Sequence, residues 1–226
     1  MSARDGSAGA LARTQAEQPP FADLTATPLI NPIRGALVLT AFIAMTVPLM
    51  PVQALLKRVA PDAARRFPHW YHRRVCGLLG LRVHVRGAQP DPSRPTLYVA
   101  NHVSWMDIPI LSAVAPVAFV AKKEVDSWPG IAWLARLQRT VFVDRERRSR
   151  IGQTAGEITE RLQGGCSIVL FAEGTSSDGN RVLPFRSSLF AAALPPKPVA
   201  GEQPPASTPV SQPVMRTAAI TYTRLH

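Results

Sequence analysis

Cysteine and acidic side chains are scarce in this 226-residue chain, and each scarcity narrows the classes of protein it can be. The two cysteines, Cys76 and Cys166, lie far apart and match no disulfide framework, metal-binding spacing or redox motif. Each is therefore predicted to be a small buried residue. Acidic residues total 15 against 26 lysines and arginines, a formal net charge of +11. This imbalance predicts an anionic partner, namely nucleic acid, phospholipid headgroups or an acidic or phosphorylated carrier.

Several catalytic and binding motifs are also missing from the sequence. It contains no G-x-S-x-G nucleophile turn, no phosphate loop ending in G-K-[ST], no G-x-G-x-x-G turn and no H-E-x-x-H zinc motif. No zinc-finger or helix-turn-helix pattern occurs, which argues against nucleic acid as a partner. With 46% hydrophobic residues the chain is too apolar to be disordered, and its length fits one domain with extra segments.

One long apolar run is present. Residues 35–56 contain no charged side chain, and a run of this length can cross a hydrocarbon core of about 30 Å. Pro48 and Pro51 leave open a spanning helix, a re-entrant hairpin or an interfacial helix, and a helix buried in a soluble core is the alternative. Basic and aromatic residues crowd the segment that follows, as is typical of the cytoplasmic flank of a membrane helix. We expect attachment to the inner membrane, with the remaining chain on its cytoplasmic face.

Composition divides the chain into three parts. Residues 1–33 lack periodicity and are predicted to form a disordered tail, and residues 34–80 to form a membrane-associated helical segment. Residues 81–226 are predicted to form the main domain, with a Pro-rich insertion at about 195–213. The chain stops soon after its last apolar run, which predicts a shortened C-terminus.

Strand and helix patterns alternate in the main domain. Helical patterns cover Met106–Ala115, Ile131–Leu137 and a face that begins at Ile151 and ends before Gly164-Gly165. This alternation predicts an α/β sandwich with a largely parallel sheet. The runs predicted to be strands are RVHVRG (82–87), TLYVA, PVAFVA, TVFVD, CSIVLFA and RTAAITYT.

Polar clusters follow three of these strands, in NHVSWMD (101–107), VFVDR (141–145) and FAEGTSSDG (171–179). Ligands bind beyond the carboxyl ends of strands in open α/β sheets, so the clusters are expected to converge on one cleft. Five positions separate His102 from Asp107, which on a continuous helix places two side chains about 140° apart. A direct contact therefore requires a turn at the histidine and a helix that begins near the aspartate.

In these three segments the sequence resembles the glycerolipid acyltransferases typified by lysophosphatidic acid acyltransferase. The first block of that family, N-H-x-S-x-x-D, is matched at Asn101, His102, Ser104 and Asp107. The second is matched at Phe142–Arg145, with Arg139 where glycine is usual, and the third at Phe171, Glu173–Thr175 and Ser177. The segment AAITYT is similar to the fourth block. The resemblance covers residues 82–226 and implies an acyltransferase-type α/β sandwich after the N-terminal membrane segment.

The resemblance implies a catalytic role for His102 and Asp107. His102 is expected to act as general base on a lysolipid hydroxyl, while Asp107 holds the other ring nitrogen. Ser104 is expected to shape the turn rather than act as a nucleophile, and Asn101 to fix that turn. The residues expected to bind the substrate are Asn101, Ser104, Lys122, Arg145, Glu173, Gly174, Thr175 and Arg186.

The expected reaction is transfer of a fatty acyl group from acyl-CoA or acyl carrier protein to a lysolipid, without a cofactor or metal ion. The resemblance favours 1-acyl-sn-glycerol-3-phosphate as acceptor. Ser176, however, replaces an arginine that in the family holds the acceptor's phosphate, and serine cannot supply its bidentate bonds. The segment is similar to members that acylate lyso-ornithine lipid, so both acceptors stay open, as does the oligomeric state. The rival of another class is a non-catalytic basic module that binds membrane surfaces.

Overall fold

A computed structural model describes residues 31–144, 148–177, 179, 183–185 and 214–222, without the side chains of 148–153. The predicted insertion at 195–213 and residues 1–30 of the predicted tail lie outside these ranges. The helices are α1 (Pro32–Val59), α2 (Pro61–Leu78), α3 (Asp107–Val114), α4 (Ile131–Leu137) and α5 (Arg148–Gln163), with a 3-10 helix at Lys123–Ser127. The strands are β1 (Thr96–Ala100), β2 (Val117–Lys122), β3 (Val141–Val143), β4 (Ser167–Phe171) and β5 (Val214–Ala218).

The five strands form one sheet in the order β3-β2-β4-β1-β5. Each ladder between these strands is parallel, which confirms the predicted α/β architecture with a largely parallel sheet. Helices connect β1 to β2, β2 to β3 and β3 to β4. Connections of this kind bring the carboxyl ends of all the strands to one edge of the sheet.

Apolar residues cover both faces of the sheet, as a parallel sheet requires. In β4, Ile168 and Leu170 join the core on the α5 side with Ile158. Val169 and Phe171 point the other way into a second core, which includes residues of α3. The period-two alternation of a strand separates the two sets, so one continuous apolar run supplies both cores.

Helix α1 is continuous through both of its prolines. Polar side chains attach it to α2 and α4, because Gln53 Nε2 donates to the carbonyl oxygens of Ala64 at 2.9 Å and Leu137 at 3.0 Å. Nearer the start of the helix, the hydroxyls of Thr46 and Tyr71 lie 2.8 Å apart. The apolar helix is thus tied to α2 and α4 through buried hydrogen bonds.

By length and composition α1 can cross a membrane. Only 6% of its most apolar window is buried, whereas the core helix of a soluble protein would be mostly buried. Large apolar side chains such as Leu37, Ile43 and Val47 are exposed along it. The helix begins at Pro32, where the Asn31 side chain accepts hydrogen bonds from Ile33 N and Arg34 N.

The predicted strand at residues 82–87 is wrong. This segment is irregular, and Val83 and Val85 are 37% and 40% exposed. Alternating apolar residues favour an extended chain, but a strand exists only when a neighbour accepts its hydrogen bonds. No strand in the described ranges pairs with this segment, since β5 at the edge of the sheet pairs only with β1.

Candidate active site

Strands β1, β4 and β5 end in register with one another. In the ladders, Ala100 at the end of β1 is the partner of Phe171 in β4 and of Ala218 in β5. Because these strands are parallel, the segments that follow them leave the sheet side by side at its carboxyl edge. That register places the NHVSWMD turn between the segment that follows β4 and the one that follows β5.

The turn after β1 is organised by a single carboxylate. Asp107 is the first residue of α3, and its Oδ2 accepts hydrogen bonds from Val103 N at 2.7 Å and Ser104 N at 3.0 Å. Ser104 closes the turn, because its carbonyl accepts from Asp107 N and its Oγ from Met106 N. Residues 101–104 are irregular, as the five-residue His–Asp spacing requires.

His102 and Asp107 are in direct contact, with Nδ1 of the imidazole 2.8 Å from Oδ2. The carboxylate is fully buried, whereas the histidine side chain is 21% exposed. Since Asp107 Oδ2 already accepts two backbone N–H groups, it acts as an ionised acceptor, and Nδ1 must carry the proton. Nε2 is then left with its lone pair free to take a proton from a substrate.

Tyr222 holds the second oxygen of the same carboxylate, donating its hydroxyl proton to Asp107 Oδ1 at 2.5 Å. Burial has the largest influence on the pKa of Asp107, and by itself it raises that pKa. The hydrogen bonds from His102, Tyr222 and the two backbone amides outweigh burial, so the pKa of Asp107 lies below its usual value. Burial, followed by the bond to Asp107, raises the pKa of Tyr222, which therefore keeps its proton and stays a donor.

Phe171 and Ser177 make further contacts with the ring and backbone of His102. It stacks on the Phe171 ring with the centroids 4.1 Å apart and the planes 20° from parallel. The His102 carbonyl accepts hydrogen bonds from Ser177, from N at 2.7 Å and from Oγ at 3.2 Å. The last residue of β4 thus holds the ring of the histidine, and the segment after β4 holds its backbone. These contacts give the imidazole the fixed orientation that a general base would need.

The segment after β4 also contains a buried carboxylate. Glu173 is 2% exposed, and in the described part of the chain neither of its oxygens has a hydrogen-bond partner. Gly174 adopts φ of 73°, a left-handed conformation that favours glycine and turns the chain outward. Thr175 and Ser176 are exposed. The turn therefore buries its acid and presents its hydroxyl groups at the surface.

The other predicted site residues are placed differently. Asn101 does not fix its own turn; its amide binds the segment after β5, with Nδ2 3.0 Å from Ile220 O and Oδ1 2.7 Å from Ile220 N. Lys122 is exposed at the carboxyl end of β2, two strands from β1 and therefore about 10 Å away across the sheet. Arg145 and Arg186 lie outside the described residues.

The sequence pattern did not identify Tyr222 as part of the site. It lies 115 positions from Asp107, and no spacing rule connects residues so far apart. One signal was present, in that Tyr222 lies within AAITYT, the segment similar to the family's fourth block, and comes four residues after the end of β5. Using that signal required the sheet order, which places β5 beside β1.

The chain is similar to several known acyltransferases. The chain is 45% identical to a lyso-ornithine lipid O-acyltransferase of Brucella abortus and 46% identical to one of Rhizobium meliloti, each over 88% of its length. It spans 71% and 65% of the lengths of these two relatives. The crystal structure of the 1-acyl-sn-glycerophosphate (LPA) acyltransferase PlsC from Thermotoga maritima is similar at 31% identity and a TM-score of 0.53, covering 71% of this chain and 70% of that one.

A family model described as Acyltransferase matches residues 82–206. The matched span is more than half of the chain and contains His102, Asp107 and Glu173. It also includes four of the five strands of the sheet. The chain therefore belongs to the acyltransferase family.

Proposed function

We propose that this protein is a membrane-associated O-acyltransferase that transfers a fatty acyl group from an acyl thioester to the hydroxyl of a lyso-ornithine lipid. The observation that carries the proposal is the His102–Asp107 pair, with a buried carboxylate on Nδ1 and a partly exposed ring. A base arranged in this way activates a hydroxyl without a covalent enzyme intermediate.

The proposed reaction runs in two stages. His102 Nε2 takes the proton from the acceptor hydroxyl while the oxygen attacks the thioester carbonyl carbon, so that a C–O bond forms. The tetrahedral intermediate then collapses, the C–S bond breaks, and the imidazolium returns its proton to the thiolate that leaves. Asp107 remains ionised throughout and stabilises the imidazolium. Acyl-CoA and acyl carrier protein both supply the required thioester, and both anionic donors suit the basic chain.

Ser176 and the two relatives support the lyso-ornithine acceptor. Ser176 is an exposed neutral residue on the turn beside His102, where the acyltransferases that act on a phosphorylated acceptor are expected to have an arginine. An acceptor without a phosphate does not need that cation. The Brucella and Rhizobium relatives, which align with 88% of this chain, are both lyso-ornithine lipid O-acyltransferases.

The second candidate acceptor is 1-acyl-sn-glycerol-3-phosphate. Two observations favour it, the similarity to the Thermotoga PlsC structure and the exposed cation of Lys122 at the carboxyl edge of the sheet. A lysine at that edge can bind a phosphate as a point charge, although without the two parallel bonds of an arginine.

Catalysis is tested by thioester consumption in membranes that contain the protein and lyso-ornithine lipid. His102→Ala should lower the rate by about 10²- to 10⁴-fold because the general base is removed. His84→Ala, which replaces an exposed histidine outside the site, serves as the matched control. If His102→Ala were as active as the wild type, the proposed chemistry would be eliminated and a non-catalytic membrane-binding role would gain support.

The acceptor is tested by offering lyso-ornithine lipid and 1-acyl-sn-glycerol-3-phosphate side by side. We expect the wild type to prefer lyso-ornithine lipid, and Ser176→Arg to raise the use of the phosphorylated acceptor, because the variant gains a bidentate phosphate donor. Ser176→Ala, which adds no charge, should leave the preference unchanged. A wild type that prefers the phosphorylated acceptor would refute the lyso-ornithine assignment without touching the His102 chemistry.

Membrane association rests on α1, whose apolar side chains are exposed along most of its length. Flotation of the protein with phosphatidylcholine vesicles tests it, and deletion of residues 1–59 should abolish flotation. Protease access in sealed inner-membrane vesicles tests the cytoplasmic placement of the domain. A domain protected in vesicles whose cytoplasmic face is outward would contradict that placement.

A further inference from the structure

A cavity lies at the opposite edge of the sheet from His102. Its volume is about 840 Å³, and it is lined by residues at the amino ends of β3 and β4, by the last turns of α1 and α4, and by α2, α5 and the 3-10 helix. Strands of five residues are roughly 16 Å long, so this cavity is separated from the active site by the length of the sheet. It therefore has no part in the acyl-transfer chemistry proposed above.

The cavity is basic. Five cationic side chains line it, together with three carboxylates, which gives a formal charge of +2. Two of the carboxylates already have cationic partners, Asp126 with Arg136 at 2.8 Å and Glu157 with Arg161 at 2.6 Å. The five cations are Lys57, Arg65, Arg136, Arg139 and Arg161.

Two of these cations are not neutralised by a carboxylate. Lys57 Nζ donates to the Arg136 carbonyl at 2.8 Å, a neutral acceptor that leaves the positive charge in place. Within the described ranges the Arg139 guanidinium has no carboxylate partner, although its backbone carbonyl accepts a hydrogen bond from Arg161. A concave surface with uncompensated cations attracts an anion.

Arg139 is held in an unfavourable backbone conformation. Its φ is 62°, the left-handed region, and among the residues described it alone occupies that region without being a glycine. A side chain with a Cβ atom is strained there, and glycine would fit without strain. An observed backbone outlier is a reason to look for a function of the side chain that occupies it. Here that side chain adds a cation to the cavity.

The surroundings of the cavity favour a lipid as the source of the anion. Lys57 lies in the last turn of α1, and its helix neighbours Leu55 and Val59 are 58% and 68% exposed. A free anion would use only the cations. A phospholipid can place its phosphate among the cations while its acyl chains lie along the exposed apolar residues of α1.

We infer that this cavity binds the phosphate of an anionic phospholipid headgroup, with Lys57 and Arg139 as its principal cations. The guanidinium of Arg139 supplies paired N–H donors to the phosphate oxygens, and Lys57 supplies a point charge at the end of α1. The bound lipid ties the amino edge of the sheet to the membrane that holds α1. This inference does not depend on the acceptor or on acyl transfer.

The test uses the full chain in dodecyl maltoside micelles that contain increasing fractions of phosphatidylglycerol. Thermal unfolding is followed, and the lipid fraction that gives half of the stabilisation is taken as the apparent affinity. Phosphatidylcholine and inorganic phosphate at matched ionic strength are the comparison ligands. We expect stabilisation by phosphatidylglycerol at fractions at which phosphatidylcholine has little effect.

Arg139→Gly is the decisive variant, because it removes the cation and relieves the backbone strain, so the protein should fold. The half-saturating fraction of phosphatidylglycerol should rise about tenfold in Arg139→Gly and change less than about threefold in Arg139→Lys. Arg58→Ala is the matched control. Arg58 is exposed and lies beside Lys57 in the last turn of α1, but it does not line the cavity. This variant should bind as the wild type does.

Three results would overturn the inference. The first is unchanged affinity in Arg139→Gly, and the second is an equal loss in Arg58→Ala, which would indicate general attraction between the basic surface and anionic micelles. The third is full stabilisation by inorganic phosphate alone, which would assign the cavity to a free anion. His102→Ala should bind phosphatidylglycerol as the wild type does, because His102 does not line the cavity. The lipid-binding result therefore stands even if the acyl-transfer proposal fails.

Discussion

Charged residues at the two edges of the parallel sheet differ in their burial and in the number of their hydrogen-bond partners. At the carboxyl edge Asp107 has no exposure, and its two oxygens accept four hydrogen bonds. At the amino edge Arg136 is 58% exposed, and its ion pair with Asp126 lies at the surface. A buried charge with several partners has one geometry, as a catalytic pair needs, whereas surface cations supply a field that attracts a mobile ligand. Substitutions at the two edges should therefore have different consequences.

The largest effect is expected from Asp107→Asn. An amide on the residue that holds His102 Nδ1 disfavours the tautomer with a free Nε2, so the rate of acyl transfer should fall by about 10³- to 10⁴-fold. Initial rates of thioester consumption measure this loss. Asp91→Asn, which changes a partly exposed residue before β1, should retain the wild-type rate. A loss of less than tenfold in Asp107→Asn would show that the buried edge does not depend on its carboxylate.

His72 extends the comparison to α2, the helix that packs against α3. Its Nδ1 lies 2.9 Å from Ser112 Oγ of α3, and burial lowers the pKa of His72 to about 4. Because the unfolded chain takes up this proton near pH 6.5 and the folded chain only near 4, stability is lost as the pH falls between these values. The loss is about 3 kcal/mol.

Chemical denaturation of the detergent-solubilised protein between pH 7 and pH 4 measures this dependence. His72→Gln cannot take up a proton, so it should remove most of the loss, while the exposed His84→Gln should leave the wild-type profile intact. An equally steep profile in His72→Gln would assign the acid sensitivity to other groups.

Tyr222→Phe should have an intermediate effect. Without the hydroxyl, Asp107 Oδ1 loses a donor, and the pKa of Asp107 rises. Loss of a hydrogen bond to a charged group should lower kcat/KM about tenfold. The acid limb of its pH profile should move to higher pH, because a carboxylate with one donor fewer attracts the protonated imidazole more strongly. Tyr71→Phe, which changes a contact between α1 and α2, is the control. A uniform loss of rate without movement of the acid limb would mean that Tyr222 acts only on the fold.

The smallest effect is expected at the amino edge, from Arg139→Gly. Relief of the left-handed backbone should raise the free energy of unfolding by about 1 kcal/mol while acyl transfer continues at the wild-type rate. Arg139→Ala removes the same charge but keeps a Cβ atom, so it should give no such gain. Equal stabilities of the Gly and Ala variants would show that the backbone at this position is not strained.

Local pattern predicted most of the helices and strands. The expected helix at residues 131–137 is present with the same ends, and the one expected at 106–115 is one residue shorter at each end. Four of the central strand runs were located correctly. The failure at residues 82–87 has a physical reason, since alternation indicates an extended chain but not whether another strand lies alongside it.

The candidate site was predictable only in part. His102 and Asp107 are five positions apart, so their contact follows from a strand, a turn and the first turn of a helix. Asn101 was expected to stabilise its own turn, yet it binds Ile220, 119 positions away. Such long-range partners depend on sheet order, which local sequence does not encode.

The sequence by itself determined the apolar helix, the alternation that makes a parallel sheet, and the histidine and aspartate of one turn. Each of these depends on residues close together in the chain, where backbone geometry allows few arrangements. Only the tertiary structure decided that β5 lies beside β1 and thus brings Tyr222 to Asp107, and that five cations from α1, α2, α4, α5 and the turn before β3 share one cavity. Those contacts join distant parts of the chain, because packing both faces of the sheet fixes which ends meet.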